Sequence, residues 1–248
     1  RAFINRLIDT IEAKRLSKAE RVITQYDKTL VCSVEDKAYL EDLHQTNNID
    51  ILLNGVDLET FDAKEGHDYS HNHTVLFTGN MDYAPNVDAV TYFAKELWPV
   101  IADKFPSSNF VIAGQRPVEA VKKLAGERIT VTGFVPDIQQ MYEQASVVVA
   151  PLRFGAGTQN KVLEAMAMGV PVVCTHIGFE GLQIKSGQGV IMAIEKEHFI
   201  SEVDQLLGNA EKRETVGEVG LQIARSRFSW DSITQRLEEY LQNVAQKK

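Results

Sequence analysis

The stretch 150–175, APLRFGAGTQNKVLEAMAMGVPVVCT, constrains the fold of this chain more than any other. It follows Ser146-Val147-Val148-Val149-Ala150, an apolar run with the character of a buried parallel strand. Gly155 and Gly157 then supply a turn where positive φ and close backbone approach are cheap. Thr158 is the expected N-cap, and 159–168 are nearly all good helix formers. Gly169 stands at the C′ position, Pro171 blocks continuation, and Val172-Val173-Cys174 makes the next strand. A strand–turn–helix–strand unit of this kind aims its helix N-terminus at the carboxyl edge of a parallel sheet.

Lys161 is out of place in that helix. It falls in the first turn, where unpaired N–H groups and the macrodipole already supply positive charge, and a cation there costs about 0.3–1 kcal/mol unless an anion shares the site. Glycine turn, helix N-terminus and lysine together describe an anion pocket suited to phosphate. Glu164, three residues on, shares nearly the same helix face and can accept hydrogen bonds from ribose hydroxyls. An ordinary solvated Lys–Glu pair is the competing reading.

Strand and helix alternate through 74–207, the pattern of a parallel doubly wound sheet, an α/β fold. The expected strands are 75–78, 110–113, 129–132, 146–150, 172–174 and 189–192; the expected helices are 86–103, 118–125, 137–144, 159–168, 197–207 and 211–226. Several strands end at glycine (Gly79, Gly114, Gly133), and in such sheets ligands lie outside the carboxyl ends of the strands. Before this unit, 1–27 carry Phe3, Ile4, Leu7, Ile8 and Ile11 at helical spacing, followed by a strand at 28–33, a helix at 35–43 capped by Ser33, and a strand at 49–53. The intervening 58–73 is polar and broken, which reads as a solvated linker. It holds His67, His71 and His73; His71-x-His73 lacks a third ligand at zinc spacing, so no metal site is expected. An amphipathic helix over 230–246 closes the chain.

With 44% hydrophobic and 24% charged residues among 248, the composition is that of a globular protein. A net charge of −8 without a basic run argues against nucleic-acid binding. Cys32 and Cys174 each sit in apolar strand-like runs and read as reduced residues of a cytoplasmic protein. No apolar stretch approaches the roughly 18–20 residues of a membrane span, and the opening on Arg1 reads as a fragment of a longer polypeptide.

Residues 20–248 resemble the C-terminal half of retaining GT-B glycosyltransferases of the group 1 family. Asn54-Gly55-Val56-Asp57 with Phe61 is similar to its NGVD-x3-F segment, and Gly133-Phe134-Val135 with Asp137 to its GfV-x-D element. Leu163-Glu164-Ala165-Met166-Ala167 with Gly169-x-Pro171-Val172-Val173 is similar to its LEAMA-x-G-x-PVV signature. The resemblance implies that 1–57 end an acceptor-side N-terminal domain, 58–73 link, and 74–248 form the Rossmann-like donor domain. It implies a UDP- or GDP-sugar as donor substrate, no cofactor, metal-independent hexosyl transfer, and a glycan or lipid-linked acceptor in bacterial surface polysaccharide synthesis. Peripheral membrane association would come through the missing N-terminal domain. Glu164 matches the ribose-binding glutamate; Thr158, Gln159 and Asn160 match the turn whose N–H groups approach the diphosphate; and Val135, next to Phe134, matches a position whose backbone lies against the base. Gly79 and Asn80 fall in the first glycine-ended loop of the donor domain.

Three positions, in two places, depart from the family pattern. Ala156 replaces the first glutamate of the E-x7-E pair, which contacts the transferred sugar, and Asn80 and Pro85 fall where phosphate-binding Arg and Lys are usual. Lys161, Arg116 and Arg153 are therefore the expected cations of the crevice. On this reading Lys161 carries catalysis by stabilising charge on the departing diphosphate, and Glu164 orients the donor without acting as acid or base. Ala156 keeps open a non-catalytic nucleotide-sugar binding module; a GT-B-like sugar-nucleotide epimerase is a third reading.

Overall fold

The computed structural model describes residues 2–63, 66–70 and 73–246, with side chains from residue 10 onward. Helix α1 (Ala2–Glu20) leads into β1 (Thr29–Val31), α2 (Val34–His44) and β2 (Ile49–Ile51), and β1 and β2 pair in parallel. The side chains of Phe3, Ile4, Leu7 and Ile8 lie outside the described residues, while Ile11 is exposed. Ser33 caps α2 as expected, its hydroxyl accepting from the Asp36 N–H at 3.0 Å.

The second unit runs β3 (Thr74–Thr78), α3 (Ala84–Tyr92), α4 (Trp98–Lys104), β4 (Asn109–Ala113), α5 (Glu119–Lys122), β5 (Ile129–Gly133), α6 (Gln139–Glu143), β6 (Val147–Ala150), α7 (Asn160–Ala167), β7 (Val172–Cys174), α8 (His176–Phe179), β8 (Val190–Met192), α9 (Lys196–Gly208), α10 (Ala210–Ile223) and α11 (Trp230–Ala245). Its six strands are all parallel in the order β5-β4-β3-β6-β7-β8. Strand order therefore reverses between β3 and β6.

Period-2 side-chain alternation explains why the central strands are apolar throughout. Val75 and Phe77 of β3, with Val147 and Val149 of β6, face the cluster of Phe93, Trp98, Phe110 and Phe199. Leu76, Val148 and Ala150 face the other layer, where Val162, Leu163 and Met166 of α7 pack. Each such buried side chain contributes about 1.5–3 kcal/mol.

Some elements differ from the sequence expectation. The helix expected over 86–103 starts at Ala84, with Pro85 in its first turn, and passes through a π turn at Phe93–Leu97 that sets Phe93, Ala94 and Leu97 inward. Helix α7 begins at Asn160, so Gln159 is the N-cap, and its side chain accepts no capping hydrogen bond; Thr158, expected in that role, has a buried hydroxyl without a partner among the described residues. The short helix α8 lies where no helix was expected.

The stretch 58–73 is exposed at Glu59, Thr60, Gly66, Asp68 and Ser70, but elsewhere it is anchored to the second unit. Asp62 pairs with Arg225 at 2.6 Å, the Tyr69 hydroxyl donates to the Gly169 carbonyl at 2.8 Å, and Arg213 donates to the Tyr69 carbonyl at 2.5 Å. Burial pulls the His67 pKa down, and His67 packs against the Tyr69 ring. His71 lies outside the described residues, and among these no cluster of His, Cys, Asp and Glu could hold a metal ion. Helix α11 crosses back to the first sheet, where the Tyr240 hydroxyl donates to the Ile51 carbonyl at 3.1 Å. Among the described residues, no helix is long and apolar enough to cross a membrane.

Candidate functional site

A parallel sheet leaves a crevice where its strand order reverses, because connections leave the neighbouring strands in opposite directions. Here that point is the carboxyl edge of β3 and β6. A crevice opens there, lined by Thr78, Gly79, Asn80 and Tyr83 after β3 and by Ala113, Gly114 and Gln115 after β4. Phe134 and Val135 after β5, and Ala156 and Thr158 through Lys161 with Glu164 after β6, complete much of the wall.

The close approach of β3 and β4 at this edge depends on Gly114. Its φ is +147°, and a Cβ there would stand 1.8 Å from the Gly79 carbonyl oxygen. Glycine is the one residue that lets the two strand ends meet and keeps the crevice floor narrow.

Lys161 and Glu164 project from α7 into this crevice, the lysine buried and the glutamate half-buried. Lys161 is 8% exposed; its ammonium donates to Asn86 Oδ1 at 3.0 Å and lies 4.8 Å from the Phe77 ring centre. Burial pulls its pKa down to about 8, against the opposing pull of Glu164. Asn86 is locked in turn, because its NH2 donates to the Asn80 carbonyl at 3.0 Å. An ammonium has three donors, and one neutral acceptor leaves it short of partners, as a cation awaiting an anion is. Burial raises the Glu164 pKa, while the Tyr142 hydroxyl at 2.6 Å and the Lys161 charge hold it down.

The other expected residues divide. Gly79, Asn80, Phe134, Val135, Thr158, Gln159 and Asn160 all line the crevice, with Phe134 72% exposed. Gly155 and Gly157, at φ +140° and +74°, shape the turn without lining it. Arg116 and Arg153 are not in the lining: Arg116 pairs with Asp82 at 3.3 Å, and Arg153 pairs with Asp88 across the Tyr92 ring. Lys161 is thus the one cation of the crevice wall among the described residues. In place of the arginines stand carboxamides, Asn54, Asn80, Gln115, Gln159 and Asn160, with Gln115 donating to Asn80 Oδ1 at 2.9 Å. Sequence reasoning passed over Asn86, Tyr142 and Thr78. Their signals were faint: an asparagine opening a helix, one tyrosine in a short helix, and the last residue of a strand.

The fold is a Rossmann-like parallel sheet flanked by helices, the kind found in solved GT-B glycosyltransferases. Anabaena HepE, solved in complex with UDP and glucose, superposes at a TM-score of 0.72 and 17% identity, over 91% of this chain and 67% of that one. The model of the Glycosyl transferases group 1 family matches residues 72–209, and the chain belongs to that family. The lipopolysaccharide core biosynthesis mannosyltransferase LpcC of Rhizobium leguminosarum is 24% identical over 242 residues, 90% of this chain and 67% of that protein. The lipopolysaccharide 1,2-N-acetylglucosaminetransferase of Salmonella typhimurium is 23% identical over 136 residues, 52% of this chain and 35% of that protein. Three of the curated relatives are spanned over only 31–37% of their length.

Proposed function

We propose that this chain is the donor-binding part of a retaining glycosyltransferase that moves a hexosyl group from a UDP- or GDP-sugar to a glycan or lipid-linked acceptor in surface polysaccharide synthesis. The observation that carries this reading is the pairing of Lys161 and Glu164 on one helix at the switch point, one cation and one carboxylate a turn apart. The diphosphate would lie against Lys161 and the open N–H groups of the first turn of α7, where charge grows as the glycosidic bond breaks. Glu164 would take the ribose hydroxyls. Crevice carboxamides would supply neutral donors in place of a second cation, and transfer would need no metal. The surface-polysaccharide role is supported by the lipopolysaccharide-building relatives, and the UDP choice by the neighbour solved with UDP and glucose.

Ala156 favours a second reading, a binding module without transfer, because no acidic side chain stands at that position to meet the sugar. Calorimetry with UDP and GDP tests the site. Lys161→Ala and Glu164→Ala should each weaken binding about tenfold, about 1.4 kcal/mol; if neither does, the nucleotide lies elsewhere. Sugar transfer from donor to a lipid-linked acceptor by the whole polypeptide separates enzyme from binding module.

A further inference from the structure

A buried line of hydroxyls ends on Glu164. Thr78 Oγ1 lies 2.8 Å from Tyr142 Oη, and the Tyr142 hydroxyl donates to Glu164 Oε2 at 2.6 Å. A phenol has one proton, and this one goes to the carboxylate, so Thr78 must be the donor to Tyr142. The chain has one direction: Thr78 to Tyr142 to Glu164.

Tyr142 is fully buried and forms no part of the crevice wall, so it cannot touch a ligand. A phenylalanine would fill the same core space without burying a hydroxyl, which is costly unless satisfied. The ring is also held from behind. Phe61 meets it edge-on, with centroids 5.9 Å apart and planes at 85°. Phe61 is itself pinned by a turn: its N–H donates to the Asp57 carbonyl at 2.7 Å, and Asp57 Oδ1 accepts from the Glu59 N–H at 2.9 Å. Glu164 Oε1 has no partner among the described residues, and Glu164 lines the crevice.

We propose that Tyr142 is the positioning residue for Glu164. Backed by Thr78 and braced by Phe61, it occupies Oε2 and so turns Oε1 toward the ribose diol of a nucleoside diphosphate. The inference rests on the reading above that the nucleotide lies in this crevice with its ribose at Glu164. It adds that ribose recognition depends on Tyr142, a residue that does not itself line the crevice.

The test compares UDP and GDP, each beside its 2′,3′-dideoxy counterpart, by calorimetry on the chain and its Tyr142→Phe variant. The unaltered chain should prefer the ribonucleotide about tenfold. Tyr142→Phe should weaken the ribonucleotide five- to tenfold, leave the dideoxy form within twofold, and so collapse the preference. It should also move the loss of ribonucleotide binding at acid pH to a higher pH, since the carboxylate loses a donor that favours its charged form. No preference in the unaltered chain would sink the ribose reading and this proposal together. A preference that survives Tyr142→Phe, or equal losses for both nucleotides, would sink this proposal alone. Thermal unfolding checks the variant; if Tyr142→Phe does not fold, Thr78→Val should lower the preference in the same sense and Thr78→Ser should restore it, and a Thr78→Val variant with full preference overturns the proposal.

Discussion

The ammonium of Lys161 and the side-chain carbonyl of Asn86 lie 3.0 Å apart in the buried wall of the crevice, although the residues are 75 positions apart in sequence. The amide that receives the ammonium is oriented by its own hydrogen bond to the Asn80 carbonyl, in the first glycine-ended loop. A lysine that the helix dipole disfavours is therefore held by a neutral group that cannot discharge it. Folding tolerates the arrangement, and an anion bound there would relieve it.

Lys161→Met should separate these two effects. Methionine keeps an unbranched apolar chain in the buried space and removes the desolvated charge that lies over the Phe77 ring, while Asn86 loses a partner. These terms oppose each other, so ligand-free stability in urea should stay within about 1 kcal/mol of the parent. Binding of UDP or GDP should fall at least tenfold. A variant that loses stability and binding in parallel would mean that Lys161 is structural.

The same lysine sets a pH dependence. Its folded pKa, about 8, lies below the 10.5 of an ordinary lysine, so above pH 8 the unfolded chain holds more protons at this group. Stability from this group is therefore lowest below pH 8, rises as pH climbs from about 8 toward 10.5, and is then fully present. Diphosphate affinity should run the other way, falling above about pH 8 as the ammonium is lost. Urea unfolding and calorimetry from pH 7 to 10 should show both slopes in the parent, and neither slope from this group in Lys161→Met.

Gly114→Ala should damage both fold and site. The added Cβ would meet the Gly79 carbonyl at 1.8 Å, and alanine does not settle at φ +147°. Parting the ends of β3 and β4 should cost about 1–3 kcal/mol in urea unfolding and weaken UDP binding, since the crevice floor is made there. An unchanged midpoint would show that the strand ends can part freely.

Arg116→Ala and Arg153→Ala should leave UDP and GDP affinity within twofold. Both guanidinium groups are engaged by carboxylates outside the crevice wall. Because these pairs are largely exposed, each substitution should change stability by about 1 kcal/mol or less. A tenfold loss of affinity would mean that the arginine leaves its carboxylate to meet the diphosphate.

What the sequence determined by itself was local. Strands that are apolar almost throughout must be buried on both faces, so 75–78, 110–113 and 146–150 announced a parallel sheet. Helix α7 ends as foreseen, with Gly169 at φ +71°. Lys161 and Glu164 were legible because helical spacing alone puts them on one face and the dipole marks a first-turn lysine as misplaced. Which distant group each side chain meets was decided only by the tertiary structure. Asp82 and Asp88 draw Arg116 and Arg153 away from the crevice across 34 and 65 residues, and Tyr142 reaches Glu164 across 22. Tyr69, in a segment that reads as solvated, is anchored to Gly169 across 100. Periodicity and capping are carried by neighbours along the chain. Pairing of charges and hydroxyls is settled by packing, which brings together groups whose sequence positions hold no trace of each other.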